Sequence, residues 1–110
     1  ALVARFRARL ETTYRDQVSV PGHALALGVT AKQLRTACIE TTDAPPSRLI
    51  HDRLMLEAKR LMLYSNMTVS EAAFYLGFDD PAYFTRVFTR ASGLSPRRFR
   101  ASSLAKAVRP

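Results

Sequence analysis

Leu2, Phe6, Leu10 and Tyr14 recur every four residues, with Val3 beside them and Arg5, Arg7, Arg9 and Glu11 in the gaps. That spacing predicts an amphipathic helix over roughly residues 2–16. Ser19 is placed to cap a short second helix carrying Val20, Ala24 and Leu27, and Gly28 to end it, because glycine tolerates the left-handed backbone of a helix stop. Thr30 caps a third helix with Leu34, Ala37 and Cys38 on one face. The stretch Asp43-Ala44-Pro45-Pro46-Ser47 then reads as a loop. The longest helical pattern runs from about Ser47 to Tyr64, marked by Leu49, Ile50, Leu54, Leu61 and Met62, and would span roughly 27 Å. Thr68 with Glu71 three residues later is a capping box for a fifth helix, stopped by Gly77. Asp80-Pro81 is a cap and first-turn pair for a sixth, stopped by Gly93. Ser95-Pro96 opens a seventh that fades by about Ala105. No segment alternates apolar and polar residues over a strand's length, so the chain reads as all-α, with seven helices.

Two windows of this pattern match each other. The first is Ala24-x2-Leu27-Gly28-Val29-x4-Leu34-x2-Ala37-Cys38, and the second is Ala73-x2-Leu76-Gly77-Phe78-x5-Phe84-x2-Val87-Phe88. Each is a short helix, a glycine turn and a second helix with an i, i+3, i+4 apolar face, which is the helix-turn-helix pattern. One such pattern is often a plain helical hairpin. Two copies, at about 19–41 and 68–91 and joined by a linker helix at about 47–64, are a more specific signal.

The second helix of each copy has an outward face of distinctive chemistry. With Phe84 set toward the core, Val87, Phe88 and Ala91 fall within about 60° of it at a helical period, while Ala82, Thr85, Arg86 and Thr89 fall opposite. That face is small, polar and basic, and fits a major groove without collision. Arg86 has the geometry to bond a guanine edge in two places, and Thr85 to meet a thymine methyl or a phosphate. In the third helix Lys32, Arg35 and Thr36 point out. A solvated helix face is the alternative for each charge. Arg97, Arg98 and Arg100 sit in the first turn of the seventh helix and suit either phosphate or a nearby acid, and Arg5, Arg7 and Arg9 suit simple solvation.

Composition narrows the partner. The chain has 110 residues, 47% of them hydrophobic, which is enough for the core of one domain. Its 17 basic and 9 acidic residues give a net charge of +8, spread over both halves, as on a folded cationic surface for nucleic acid or acidic membrane. No apolar run approaches the ~18 residues of a membrane span, and the N-terminus has no secretory pattern. The chain opens on Ala rather than Met, which suits a piece of a longer polypeptide. One cysteine excludes a disulfide framework and a Cys-rich zinc site. Cys38 lies on an apolar stripe and reads as core filler. His23 leans inward as a candidate core histidine with its hydrogen bonds met, and His51 reads as an exposed helix residue. The two histidines have no carboxylate cluster at ligand spacing, and no phosphate-cradling glycine loop is present, so no metal, cofactor or enzymatic activity is expected. A helical module binding an acidic protein is the rival from another class. RNA binding is weaker, because most of the Phe and Tyr residues fall on inward stripes.

The run from Glu57 to Arg100 resembles the C-terminal DNA-binding domain of the AraC/XylS family of bacterial transcription regulators. Glu57-Ala58-Lys59-Arg60-Leu61, Val69-Ser70-Glu71-Ala72-Ala73, Leu76-Gly77-Phe78-Asp79-Asp80-Pro81-Ala82-Tyr83-Phe84-Thr85-Arg86-Val87-Phe88, Gly93-Leu94-Ser95-Pro96 and Phe99-Arg100 carry the match, and the first half extends it to about residues 3–101. The resemblance implies two helix-turn-helix units on a long linker helix, with recognition helices at Ala31–Glu40 and Pro81–Arg90. Their base-facing positions would be Lys32, Arg35, Thr36, Ala82, Thr85 and Arg86. Gln33, Thr89, Arg90, Arg97 and Arg98 are candidates for the DNA backbone. It further implies double-stranded promoter DNA and RNA polymerase as partners, an effector bound by an N-terminal domain outside this chain, no membrane partner and a cytoplasmic, nucleoid-associated setting. The sequence departs from the family pattern at Asp43, where Gly is commoner, at Cys38 for Phe, at His23 for Leu or an aromatic, and at Ala72 for Ile. Leu49-Ile50-His51-Asp52-Arg53 and Ala82-Tyr83 resemble members that control catabolism of small aromatic acids.

Overall fold

The computed structural model describes the backbone of residues 1–108 and the side chains of residues 1–102. Among the described residues the backbone forms seven α-helices and no strand: α1 (Leu2–Thr13), α2 (Val20–Ala26), α3 (Ala31–Thr42), α4 (Pro46–Tyr64), α5 (Val69–Tyr75), α6 (Pro81–Ser92) and α7 (Pro96–Val108). Most of the expected caps are formed. Ser19 accepts from the Gly22 amide, Thr30 and Gln33 close a capping box, Thr68 and Glu71 close another, and Asp80 accepts from the Ala82 amide. The Thr68 amide bond holds the Glu71 carboxyl below the usual carboxylate range.

Some helix ends differ from expectation: Pro46 and Ser47, read as loop, form the first turn of α4, because proline's fixed φ suits a helix start. Tyr14 continues the apolar spacing, but it packs on the core from a turn, since α1 stops at Thr13 and Gln17 takes a left-handed φ of 57°. At the other end α7 runs to Val108, past Ala105.

The chain divides into two compact units, Ala1–Leu54 and Met55–Pro110, with the division inside α4. In the first unit, Val3, Phe6 and Leu10 of α1 pack with Ala24, Leu27, Leu34, Cys38 and Leu49, leaving Phe6, Leu34 and Cys38 without solvent exposure. His23 is also inside, only 1% exposed, with its ring edge-on to Phe6 at 5.2 Å. Unlike the satisfied histidine expected from sequence, its Nδ1 has no hydrogen-bond partner among the described residues. Burial pushes its pKa down, and the nearby Arg9 charge pushes the same way. Burial raises the Cys38 thiol, which suits its reading as filler. His51 is half-buried rather than exposed.

Two basic residues of this unit that read as solvated have structural surroundings instead. Arg5 donates to the Leu27 carbonyl at 3.2 Å, closing the end of α2, and Arg9 is partly buried. Arg53 pairs with Glu11 and lies 4.2 Å over the Tyr14 ring, fastening α4 to α1.

The second unit is packed around aromatic rings. Met55, Ala58, Met62, Ala72, Ala73, Leu76, Phe78, Phe84 and Phe88 are buried. Phe78 meets Phe84 at 5.1 Å, Phe84 meets Phe88 at 5.9 Å, and Phe88 meets Phe99 at 5.4 Å, a run of edge and tilted contacts favoured by the ring quadrupoles. Arg100 points back into this unit. Its guanidinium donates to the carbonyls of Met62 (2.9 Å), Leu61 (3.3 Å) and Ser65 (3.3 Å), capping the C-terminal end of α4. A cation there satisfies orphan carbonyls and complements the helix dipole, so Arg100 is a strut, where its position had suited either phosphate or a nearby acid.

Candidate nucleic-acid interface

Each unit builds its exposed helix on the same turn. In the first, Val29 N–H donates to Ala24 C=O (3.0 Å) and Gly28 N–H to Leu25 C=O (3.1 Å); in the second, Phe78 N–H donates to Ala73 C=O (3.0 Å) and Gly77 N–H to Phe74 C=O (3.1 Å). This paired pattern is the Schellman stop, and it places Gly28 at φ 72° and Gly77 at φ 90°, where a side chain would be strained. Buried Ala24 and Ala73 keep the helices close on either side of the turn. After the turn the correspondence shifts by one residue. Leu34 and Cys38 then match Phe84 and Phe88, and each pair is fully buried.

The repeat continues beyond the two windows read from sequence. The Thr42 hydroxyl donates to Cys38 C=O (2.7 Å) and the Ser92 hydroxyl to Phe88 C=O (2.8 Å). Asp43 (φ 61°) and Gly93 (φ 83°) are the left-handed caps of α3 and α6, and Pro46 and Pro96 open α4 and α7. Asp43 thus sits where the other unit uses glycine, at a position a short polar side chain can occupy at some cost.

With these frames superposed by residue number, Lys32 matches Ala82, Arg35 matches Thr85 and Thr36 matches Arg86. Lys32, Arg35, Thr36, Ala82 and Arg86 are exposed, and Thr85 is half-buried. Thr85 lines a cleft of about 130 Å³ with Val69, Ser95, Pro96 and Arg97. The six sequence candidates therefore form two outward sets, one per unit. Ala91 departs from the sequence pattern. It lies on the inward stripe yet is exposed, one residue before α6 ends at Ser92.

The candidate backbone contacts are also at the surface. Gln33, Thr89, Arg90, Arg97 and Arg98 are exposed. The Gln33 carbonyl oxygen is engaged by the Thr30 amide at 2.8 Å, which leaves its NH2 as the free donor. The Thr89 hydroxyl donates to Thr85 C=O at 2.6 Å. Lys32, Arg35, Arg90, Arg97 and Arg98 make no side-chain ion pair among the described residues. Uncompensated cations on a surface favour a polyanion.

Sequence reasoning missed one feature of the α6 face. The Arg86 guanidinium lies 5.6 Å from the Tyr83 ring centroid, and Tyr83 in turn lies 6.0 Å from Phe78. The i, i+3 spacing of an aromatic and an arginine was the available signal.

A family model described as "Helix-turn-helix domain" matches residues 23–102, most of the chain. The chain belongs to the AraC/XylS family of helix-turn-helix domains. The HTH-type transcriptional activator RhaS of Escherichia coli O157:H7 is 27% identical over 93 residues, covering 84% of this chain and 34% of RhaS. Among solved structures, the DNA-binding domain of AdpA in complex with a target DNA is 26% identical, with a TM-score of 0.85 over 97% of this chain and 96% of that one. A Chromobacterium violaceum regulator with an AraC-type domain, 18% identical, has the same fold at a TM-score of 0.85 over 93% of this chain and 91% of its own. This AraC-type chain spans about a third of the length of the first curated relatives it matches. Those relatives are transcription regulators and not enzymes. Among the described residues no His/Cys/Asp/Glu group could hold a metal, and no helix is long and apolar enough to cross a membrane.

Proposed function

We propose that this AraC-type domain binds double-stranded DNA sequence-specifically, as the DNA-reading part of a cytoplasmic bacterial transcription regulator. Each unit lays one helix in its own major-groove segment, α3 presenting Lys32, Arg35 and Thr36 and α6 presenting Ala82, Thr85 and Arg86. The two segments lie about one helical turn apart on the duplex, roughly 34 Å. Gln33, Thr89, Arg90, Arg97 and Arg98 contact the sugar-phosphate backbone, fixing register without reading sequence. The observation that carries this reading is that Lys32, Arg35 and Thr36 of α3 and Arg86 of α6 stand exposed on one repeated frame, with no ion pair to these cations among the described residues. The solved AdpA complex with its target DNA supports it from a relative of the same fold. Because Lys32-Arg35-Thr36 and Ala82-Thr85-Arg86 differ in chemistry, the site is asymmetric. An effector-binding segment and RNA polymerase are partners of the whole regulator in this reading. Selection of bound duplexes from a random pool at ~0.15 M salt tests it. The expected result is a two-part asymmetric motif with a steep salt dependence, since each neutralised phosphate releases counterions. Equal affinity for every duplex would reject specificity.

A further inference from the structure

Arg86 is the longest side chain of the α6 outward set, and a free guanidinium on a flexible stem loses many rotamers when it is fixed on a base edge. Here it lies over a neighbouring ring. No carboxylate pairs with it among the described residues, and its guanidinium carbon instead lies 5.6 Å from the centroid of the Tyr83 ring, one turn earlier on the same helix. That distance is within the range at which the negative face of an aromatic ring attracts a cation. Tyr83 is half exposed, at 53%, yet its ring is anchored. It lies 6.0 Å from Phe78, which is buried beneath the turn and sits 5.1 Å from Phe84. The aromatic core of this unit thus reaches the surface through Tyr83 and ends under Arg86. The first unit has no counterpart. The matching positions are Gln33, whose carbonyl is tied to the Thr30 amide, and Thr36.

We propose that Tyr83 is a positioning residue for recognition. Its ring holds the Arg86 guanidinium in an orientation ready for a base edge, so that less freedom is lost on binding. The ring face does this and the hydroxyl is not needed. This role rests on the DNA-binding reading of Arg86.

The test is a double-mutant cycle read as DNA affinity. Wild type, Tyr83→Phe, Tyr83→Ala, Arg86→Ala and the Tyr83→Ala/Arg86→Ala double variant are titrated with the preferred duplex. A second duplex is altered at the base pair whose preference Arg86→Ala abolishes. Circular dichroism checks that each variant keeps its helices. Arg86→Ala is expected to lose about 5- to 100-fold on the preferred duplex. Tyr83→Ala is expected to lose about 2- to 5-fold there and nothing on the altered one, with Tyr83→Phe matching wild type. In the Arg86→Ala background, Tyr83→Ala then adds no further loss. Equal losses from Tyr83→Ala in both backgrounds overturn the positioning role. So does a Tyr83→Phe loss as large as that of Tyr83→Ala, which would make the hydroxyl a direct DNA contact. Wild-type protein without base preference, or Arg86→Ala with its preference intact, overturns the underlying reading of Arg86 and the positioning role with it.

Discussion

Position for position, the unit ending at Leu54 puts Val29, Leu34, Cys38 and Leu49 where the unit beginning at Met55 puts Phe78, Phe84, Phe88 and Phe99. Yet the glycine turns, the caps that end α3 and α6, and the prolines that open α4 and α7 agree nearly bond for bond. Core volume is redistributed as well. His23 is large where Ala72 is small, and Cys38 is small where Phe88 is large. The shared backbone is therefore written in local turn and cap chemistry. Side-chain size differs around it while the apolar pattern is kept. The same holds outside. Conserving the frame while exchanging Lys32 for Ala82, Arg35 for Thr85 and Thr36 for Arg86 gives two faces that present different donors.

The largest test of this contrast is in the cores. Phe84→Ala should destabilise the second unit by ~3–5 kcal/mol and Leu34→Ala the first by ~2–5 kcal/mol, with the phenylalanine the costlier of the two. Urea unfolding of each variant measures this, and equal losses would mean that the ring-to-ring contacts of Phe84 add nothing to its volume. Next in size is Arg100→Ala, expected to cost ~2 kcal/mol by removing charge-assisted bonds to the α4 carbonyls of Leu61 and Met62 and to that of Ser65 just beyond it, with DNA base preference unchanged. Weaker DNA binding at full stability would make Arg100 a phosphate contact instead.

The buried histidine is particular to the first unit and makes its stability pH-dependent. His23 has a folded pKa below its ordinary value, so the unfolded chain binds the proton first as pH falls. Stability should be complete above about pH 7 and decline as pH drops through the unfolded histidine range near 6.5, with a slope of at most ~1.4 kcal/mol per pH unit. His23→Leu should flatten that part of the curve in urea titrations at pH 7.5 and 5.5, and an unchanged slope would place the proton elsewhere. The smallest effects belong to the left-handed caps. Gly93→Ala should lower stability by ~1 kcal/mol, and Asp43→Gly should raise it by less than ~1 kcal/mol, read as shifts in thermal midpoint.

Turns, caps and helix count were legible in the sequence because they are local. Ser19, Thr30, Thr68 and Asp80 each announce a helix start within four residues, and Gly28, Gly77 and Gly93 each announce a stop. The outward placement of Lys32, Arg35 and Arg86 followed from period alone. Features set by distant partners were not legible. Arg100 reads as a surface cation until α4 is known to end beside it, and Arg5 until the end of α2 is known to lie beneath it. His23 reads as satisfied because sequence gives no way to count the donors around a buried ring. Ala91 fails for a simpler reason: a periodic pattern does not say where its covering neighbours stop.

The central claim is that both outward faces read bases. The most direct measurement compares the base preferences of wild type, Arg35→Ala and Arg86→Ala over a complete set of single-base-pair changes in the preferred duplex. The expected result is a loss of about 1–3 kcal/mol of discrimination confined to one position for each variant, the two positions lying in separate parts of the site. A uniform weakening across all duplexes by both variants would make these side chains phosphate contacts and contradict the account.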